Sequence, residues 1–206
     1  MTAEYDHARA IRLLKRRDPV LGAIITRQGA CGLAAAQRTD HFLAIVRAIV
    51  YQQLSTKAAG TIYSRLAALF HDNLPTAAGL TALSDEKLRA AGLSAMKVRY
   101  LRDLAAKVID GTLRLDALDT MSDDEVIAEL TKVKGIGRWS AEMFLMFRLS
   151  RPDVLPVGDL GIARAIQKAY GLRKLPAPKR IVQIGSAWKP YRSIACWYLW
   201  ASLRNR

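Results

Sequence analysis

Cysteine and histidine are scarce in this chain. Its 206 residues hold two cysteines, Cys31 and Cys196, and three histidines, His7, His41 and His71. Two thiolates cannot supply the four ligands of an iron–sulfur cluster, and histidines this scattered do not form a catalytic zinc site. Cys196 lies in an apolar run and reads as a small buried hydrophobe. No apolar run is long enough to span a bilayer, and no lipidation motif is present. The opening Met-Thr-Ala-Glu-Tyr-Asp-His lacks the basic and apolar regions of a signal peptide, so a soluble intracellular protein is the expectation. No repeat or low-complexity linker interrupts the chain, whose length suits one or two compact domains. Acidic residues are also in short supply: 18 Asp and Glu face 32 Lys and Arg, a formal charge of +14. Such an excess calls for a polyanion. Nucleic acid leads, because Lys and Arg that neutralise phosphates release counterions; a merely solvating surface and an acidic membrane are the alternatives.

What is present is helical periodicity throughout. Residues 4–17 read as a basic amphipathic helix, with Ile11, Leu13 and Leu14 among charges. Pro19 after Asp18 starts a second helix. After the break at Gly29 to Gly32, residues 40–53 read as a buried helix, and Ser55 caps another that runs to about Phe70. Ser84 to Ala91 and Ser94 to Ile109 follow, stopped by Gly92 and Gly111. Pro156 to Tyr170, Pro178 to Ala187 and Pro190 to about Leu203 complete the pattern. Ala23-Ile24-Ile25-Thr26 has the composition of a strand but no alternation to support a sheet. The expected fold class is all-α.

The most informative stretch is Leu130-Thr131-Lys132-Val133-Lys134-Gly135-Ile136-Gly137-Arg138-Trp139-Ser140-Ala141, followed by Leu155-Pro156-Val157-Gly158-Asp159. Ser122-Asp-Asp-Glu125 is a capping box that starts a helix, and Val126, Leu130 and Val133 recur at helical spacing. Gly135 and Gly137 end that helix in a turn tight enough for side chains to obstruct it. A new helix starts near Arg138, so the turn presents backbone N–H groups beside a helix N-terminus, an arrangement suited to phosphate. Lys132, Lys134 and Arg138 surround it with positive charge. Gly-Ile-Gly alone favours an ordinary αα-hairpin, and Asp159 alone favours a plain N-cap. The combination is more specific than either part.

With Trp188-Lys-Pro-Tyr-Arg-Ser-Ile-Ala further on, these residues resemble the helix-hairpin-helix DNA glycosylases, and most closely their 3-methyladenine DNA glycosylase II (AlkA-type) family, over roughly residues 40 to 203. The resemblance implies a two-lobed helical fold with the active site in the cleft between lobes. Residues 1–38 and 151–206 would form a discontinuous terminal lobe, and residues 39–150 a central lobe that includes the hairpin at 122–150. The bacterial type enzyme of the family also carries an N-terminal β-rich domain. Too few residues precede Phe42 to encode one, so a compact version is expected.

The resemblance further implies a monofunctional enzyme that flips alkylated purines of the 3-methyladenine and 7-methylguanine class out of double-stranded DNA and hydrolyses the N-glycosidic bond in base-excision repair. It would act as a monomer, inside the cell with its DNA. Asp159 is then the catalytic carboxylate: cleavage builds positive charge on C1′, which a fixed carboxylate stabilises while orienting water. Trp139 stands where bifunctional members carry a lysine that attacks the sugar as a Schiff base, so no lyase activity is expected. Trp139, Met143 and Trp200 line the base pocket, whose aromatic faces suit a cationic methylated ring; Trp188, Tyr191 and Trp197 are nearby candidates. Met143 replaces an aromatic residue of the bacterial type enzyme, which shifts the expected substrate range. Leu54, with Gln53 beside it, is the wedge that fills the vacated stack. Lys134, Gly135, Ile136, Gly137, Arg138 and Ser140 hold the phosphate. No catalytic cofactor is implied, but a structural Na+ or K+ on the carbonyls of Thr131, Val133 and Gly135 is, when DNA is bound. Two other readings stand beside this one: a glycosylase for other base lesions, and a non-catalytic DNA-binding module that has no use for Asp159.

Overall fold

The computed structural model describes residues 7–33 and 40–204. Its helices, in chain order, are α1 (His7–Arg17), α2 (Pro19–Gln28), α3 (His41–Tyr51), α4 (Thr56–Ala67), α5 (Ala77–Ala82), α6 (Asp85–Ala90), α7 (Ala95–Ile109), α8 (Asp123–Leu130), α9 (Arg138–Phe147), α10 (Leu160–Ala169), α11 (Pro178–Gly185) and α12 (Arg192–Arg204). No strand occurs among the described residues, and the all-α expectation holds. Residues 4–6 of the first expected helix lie outside them.

Local polar chemistry sets most helix starts. Ser55, Ser84, Ser94 and Ser122 each accept the backbone N–H three residues on, at 3.2–3.4 Å. Glu125 completes the capping box by accepting the Ser122 N–H at 2.8 Å. Ala23–Thr26 lies inside α2, because Asp18 and Pro19 fix the helix start and Leu21, Ile24 and Ile25 then turn inward at helical spacing. Helix α10 begins later than Pro156. The Asp159 N–H closes a turn on the Pro156 carbonyl at 3.0 Å, and Asp159 is the N-cap. Helix α5 is an addition: Thr76 caps it, but Gly79 in its middle hides it from a propensity reading.

Internal packing divides the chain into two compact units. The terminal unit comprises Met1–Ala36 and Glu142–Arg206, and the central unit Gln37–Ala141, the later boundary falling inside α9. The terminal unit is built around α12, which packs against α2 and α10 and buries Ile194, Ala195, Cys196, Tyr198 and Leu199 completely. Each large apolar side chain buried in this way contributes about 1.5–3 kcal/mol. Burial pushes the Cys196 thiol far up, leaving it an inert filler. Asp18 is the polar knot of this unit. Only 7% exposed, it accepts the Leu21 N–H at 3.0 Å, the Trp188 indole N–H at 2.7 Å and the Tyr170 hydroxyl. A carboxylate this buried is tolerated because several donors satisfy it. In the central unit α7 is the hub, packing on α3, α5 and α6 through Val98, Leu101, Leu104 and Ala105.

Candidate functional site

In the central unit α8, residues 131–137 and the start of α9 form the expected helix-hairpin-helix. A buried acid and a half-buried one hold its turn from behind. Glu129, 4% exposed, accepts the Arg114 N–H and the Lys132 ammonium, both at 2.8 Å. Asp103 accepts the Lys134 N–H at 2.8 Å and the Lys107 ammonium at 2.6 Å. Burial pushes both carboxyls up, but these hydrogen bonds and the neighbouring cations outweigh it and hold both below the usual carboxylate range.

This buttress corrects part of the phosphate assignment. The Lys132 ammonium, on an exposed side chain, is held by Glu129 and by the Thr112 carbonyl at 3.0 Å. The Lys134 N–H goes to Asp103, and the Ile136 N–H to the Val133 carbonyl at 3.0 Å, so neither faces outward. The Ile136 side chain is core, whereas Arg138 is exposed and Ser140 half-buried. Among the described residues the N–H groups of Gly135 and Gly137 take no partner. The two glycines differ sharply. Gly135 has φ +83°, and a Cβ there would stand 2.2 Å from the Tyr100 ring. At Gly137 φ lies outside the left-handed region, and a Cβ would meet nothing within 4 Å. The obstruction expected at both positions exists only at Gly135.

The implied cation site calls on three carbonyls of this turn. That of Val133 already binds the Ile136 N–H, and that of Gly135 accepts the Gln52 side-chain amide at 2.9 Å. A carbonyl oxygen has two lone pairs, so one hydrogen bond on each leaves both able to accept a second partner.

The α3–α4 junction carries Gln53 and Leu54, the residues expected to serve as the wedge. Gln53 has φ +57°, which costs a residue with a Cβ roughly 1 kcal/mol or more, and Leu54 follows it 40% exposed. The junction is braced. The Lys97 ammonium caps the end of α3 by donating to the carbonyls of Val50 at 2.6 Å and Gln52 at 2.9 Å. Burial lowers the pKa of this lysine. The Gln52 amide then ties the junction to the hairpin at Gly135. Sequence reasoning misses both Gln52 and Lys97, whose partners lie 83 and 45 residues away.

In the terminal unit, half-buried Asp159 caps α10. Its Oδ1 accepts the Ile162 N–H at 2.7 Å and the Trp200 indole N–H at 2.9 Å. The segment leading to it is pinned to α12. Arg192 grips the Asp153 carboxylate through Nε at 2.7 Å and Nη2 at 2.9 Å. The Ser193 N–H donates to the Pro152 carbonyl at 3.0 Å, and its hydroxyl accepts the Val154 N–H at 3.0 Å. Arg192 and Ser193 of the C-terminal motif thus anchor the loop that delivers the carboxylate. Trp188 of the same motif is fully buried on Asp18 and drops out as a base-pocket candidate. Trp197 lies edge-on to Tyr198 at 5.0 Å, a packing contact, and Tyr191 is half-buried.

Trp139, in the first turn of α9, is 49% exposed and so is not core. Met143 is half-buried. Trp200 is half-buried and stacks on Phe147, with ring centroids 6.0 Å apart. Phe147 itself is 49% exposed, and Leu160, beside Asp159, is 52% exposed. Sequence reasoning misses Phe147, although Trp139, Met143 and Phe147 follow at intervals of four and so share one helix face.

A family model described as "HhH-GPD superfamily base excision DNA repair protein" matches residues 46–190. The chain belongs to this superfamily. DNA-3-methyladenine glycosylase 1 of Schizosaccharomyces pombe is 34% identical over 166 residues, covering 80% of this chain and 73% of that protein. The solved structure of the S. pombe 3-methyladenine DNA glycosylase Mag1 in complex with abasic DNA is similar at TM-score 0.84 and 30% identity, covering 95% of this chain and 97% of that one. A DNA-3-methyladenine glycosidase from Bacillus halodurans is similar at TM-score 0.83 and 36% identity, covering 100% and 92%. The fold described above is that of an HhH-GPD glycosylase.

Proposed function

We propose that the chain is a monofunctional DNA glycosylase that excises alkylated purines of the 3-methyladenine and 7-methylguanine class from double-stranded DNA in base-excision repair. One observation carries the reading: the Asp159 carboxylate is held at the start of α10 by the N–H groups of Ile162 and Trp200, with Trp200 stacked on exposed Phe147. The similar proteins reported above bear the name 3-methyladenine glycosylase, and the DNA bound to Mag1 is abasic, the product such a reaction leaves.

The chemistry follows from the residues. As the C1′–N bond lengthens, its electron pair leaves with the base and discharges the positive charge that methylation placed on the purine. Positive charge appears instead on the sugar, where a carboxylate already held in place stabilises it without reorganising. Water adds to C1′, and its proton passes to Asp159 or to solvent. Trp139 supports the monofunctional outcome, because an indole cannot form the imine that strand cleavage requires. Phe147, exposed and stacked on Trp200, offers an aromatic surface that suits a cationic ring. The strained Gln53 with Leu54 suits a wedge that replaces the extruded base. Gly137, which the fold does not require to be glycine, suits close approach of a phosphodiester at the start of α9. The enzyme works as a single copy, where the cell keeps its DNA.

The test is release of free bases from methylated duplex DNA by wild type and Asp159→Asn, with products separated by chromatography. The expected result is 3-methyladenine or 7-methylguanine from wild type, roughly a hundredfold less from the variant, unchanged duplex affinity and no strand cleavage. Release of a different lesion base would replace the specificity proposed here. Duplex binding with no release of any base would leave a binding module.

A further inference from the structure

Gly161 is the second residue of α10, and nothing in its backbone calls for glycine. Its φ lies outside the left-handed region, and glycine inside a helix costs about 0.5–1 kcal/mol relative to alanine. The demand comes from side-chain space. A Cβ at this position would stand 2.9 Å from Asp159 Oδ1 and 3.1 Å from both Cδ1 and Nε1 of Trp200. These are the acceptor and the donor of the 2.9 Å hydrogen bond between the indole and the carboxylate. A methyl group there would sit in the elbow of that bond.

Deepening the function proposed above and resting on it, we propose that Gly161 is a positioning residue: its missing side chain lets the Trp200 indole reach Asp159 and fix the carboxylate for the cation that develops on the sugar. Neither partner gives way freely. Asp159 Oδ1 is also bound to the Ile162 N–H at 2.7 Å, and Trp200 is stacked on Phe147 and carried by α12, which packs against α10. Beyond its chain neighbours and the nearby backbone of α10, the three nearest atoms to the added methyl all belong to side chains. Alanine therefore displaces the hydrogen-bonded pair while the helix backbone stays in place. The cost falls on the transition state, where the carboxylate must meet positive charge at one point, and not on contacts to phosphate. A glycine needed only for close approach of α10 and α12 would instead cost stability and leave the preference for a cationic sugar intact.

The experiment compares wild type, Gly161→Ala, Trp200→Phe and the double variant. Phenylalanine keeps the stacked ring and removes the N–H. Each protein is melted, titrated with duplexes holding either a neutral tetrahydrofuran or a cationic pyrrolidine in place of one nucleotide, and assayed for single-turnover release of 3-methyladenine. For Gly161→Ala the expected result is a melting temperature within a few degrees of wild type, tetrahydrofuran affinity within about twofold, and a preference for pyrrolidine over tetrahydrofuran that falls roughly tenfold, with the rate falling in parallel. Trp200→Phe should do the same, and the double variant should lose no more than the worse single, because both remove one interaction. A wild-type preference in Gly161→Ala, an equal loss for both analogues, or multiplying losses in the double variant would each overturn the proposal. Wild type that releases no alkylated base would refute the functional reading instead; the analogue ratio still reports on Gly161.

Discussion

Gly135 and Gly137 stand two residues apart and serve different masters. At Gly135 the left-handed φ and the Tyr100 ring, 2.2 Å from where a Cβ would be, are demands of the fold. At Gly137 the fold makes no such demand, so a side chain there is felt only by whatever docks on the turn. Gly135→Ala should therefore lose at least about 2 kcal/mol of stability, read by denaturant unfolding. Gly137→Ala should unfold within about 0.5 kcal/mol of wild type and still bind duplex DNA roughly tenfold more weakly, by anisotropy, because a backbone contact to phosphate is blocked. Full DNA affinity in Gly137→Ala would remove the turn from the interface. Asp18 makes the opposite case, a buried acid with a purely structural burden. Asp18→Ala strands the Trp188 indole and the Tyr170 hydroxyl, and a loss of about 2–4 kcal/mol is expected.

The hairpin turn, taken as an element, is shaped by acids that brace it from behind. Asp103 illustrates how this can be read by pH. Its side chain is only 12% exposed, and its folded pKa lies below the value of about 3.9 that it takes in an unfolded chain. A depressed carboxyl contributes its stability above the unfolded pKa and loses it as pH falls through the folded one. Asp103→Ala should cost about 1–3 kcal/mol at pH 7, and the gap from wild type should narrow as pH drops below about 4. A gap of constant size down to pH 3 would mean that the carboxylate charge is not what holds the Lys134 N–H. The same element shows what a sequence reveals and what it hides. Ser122 and Glu125 reveal a helix start because the whole device fits in four residues. The dependence of the turn on Asp103, 31 residues from Lys134, has no local signature. Asp159 was legible as a cap and as a carboxylate after the hairpin, but its Trp200 partner lies 41 residues on. The C-terminal aromatics illustrate the same limit: Trp188, just before α12, is sealed on Asp18, while Trp200 within α12 reaches Asp159, and only tertiary packing tells them apart.

Across the whole molecule the positive charge is unevenly shared. The terminal unit holds 18 Lys and Arg against 6 Asp and Glu, whereas the central unit holds 14 against 12. The unit that carries the hairpin is thus nearly neutral, and its Lys132 and Lys134 face Glu129 and Asp103. Concentrated charge repels itself and weakens a fold unless a polyanion relieves it. This distribution predicts that long-range attraction for DNA belongs to the terminal unit and that the hairpin supplies local geometry. This division can be measured through salt, since each phosphate neutralised contributes about 0.9 to the slope of log affinity against log salt. Replacing exposed Arg173, Lys174 and Lys179 of the terminal unit with glutamine should flatten that slope by about one or more and weaken binding most at low salt. Replacing exposed Lys87, Arg89 and Arg99 of the central unit, the same loss of charge, should leave the slope nearly unchanged. Equal flattening by both triple variants would show that net charge alone draws the protein to DNA, wherever on the chain it resides.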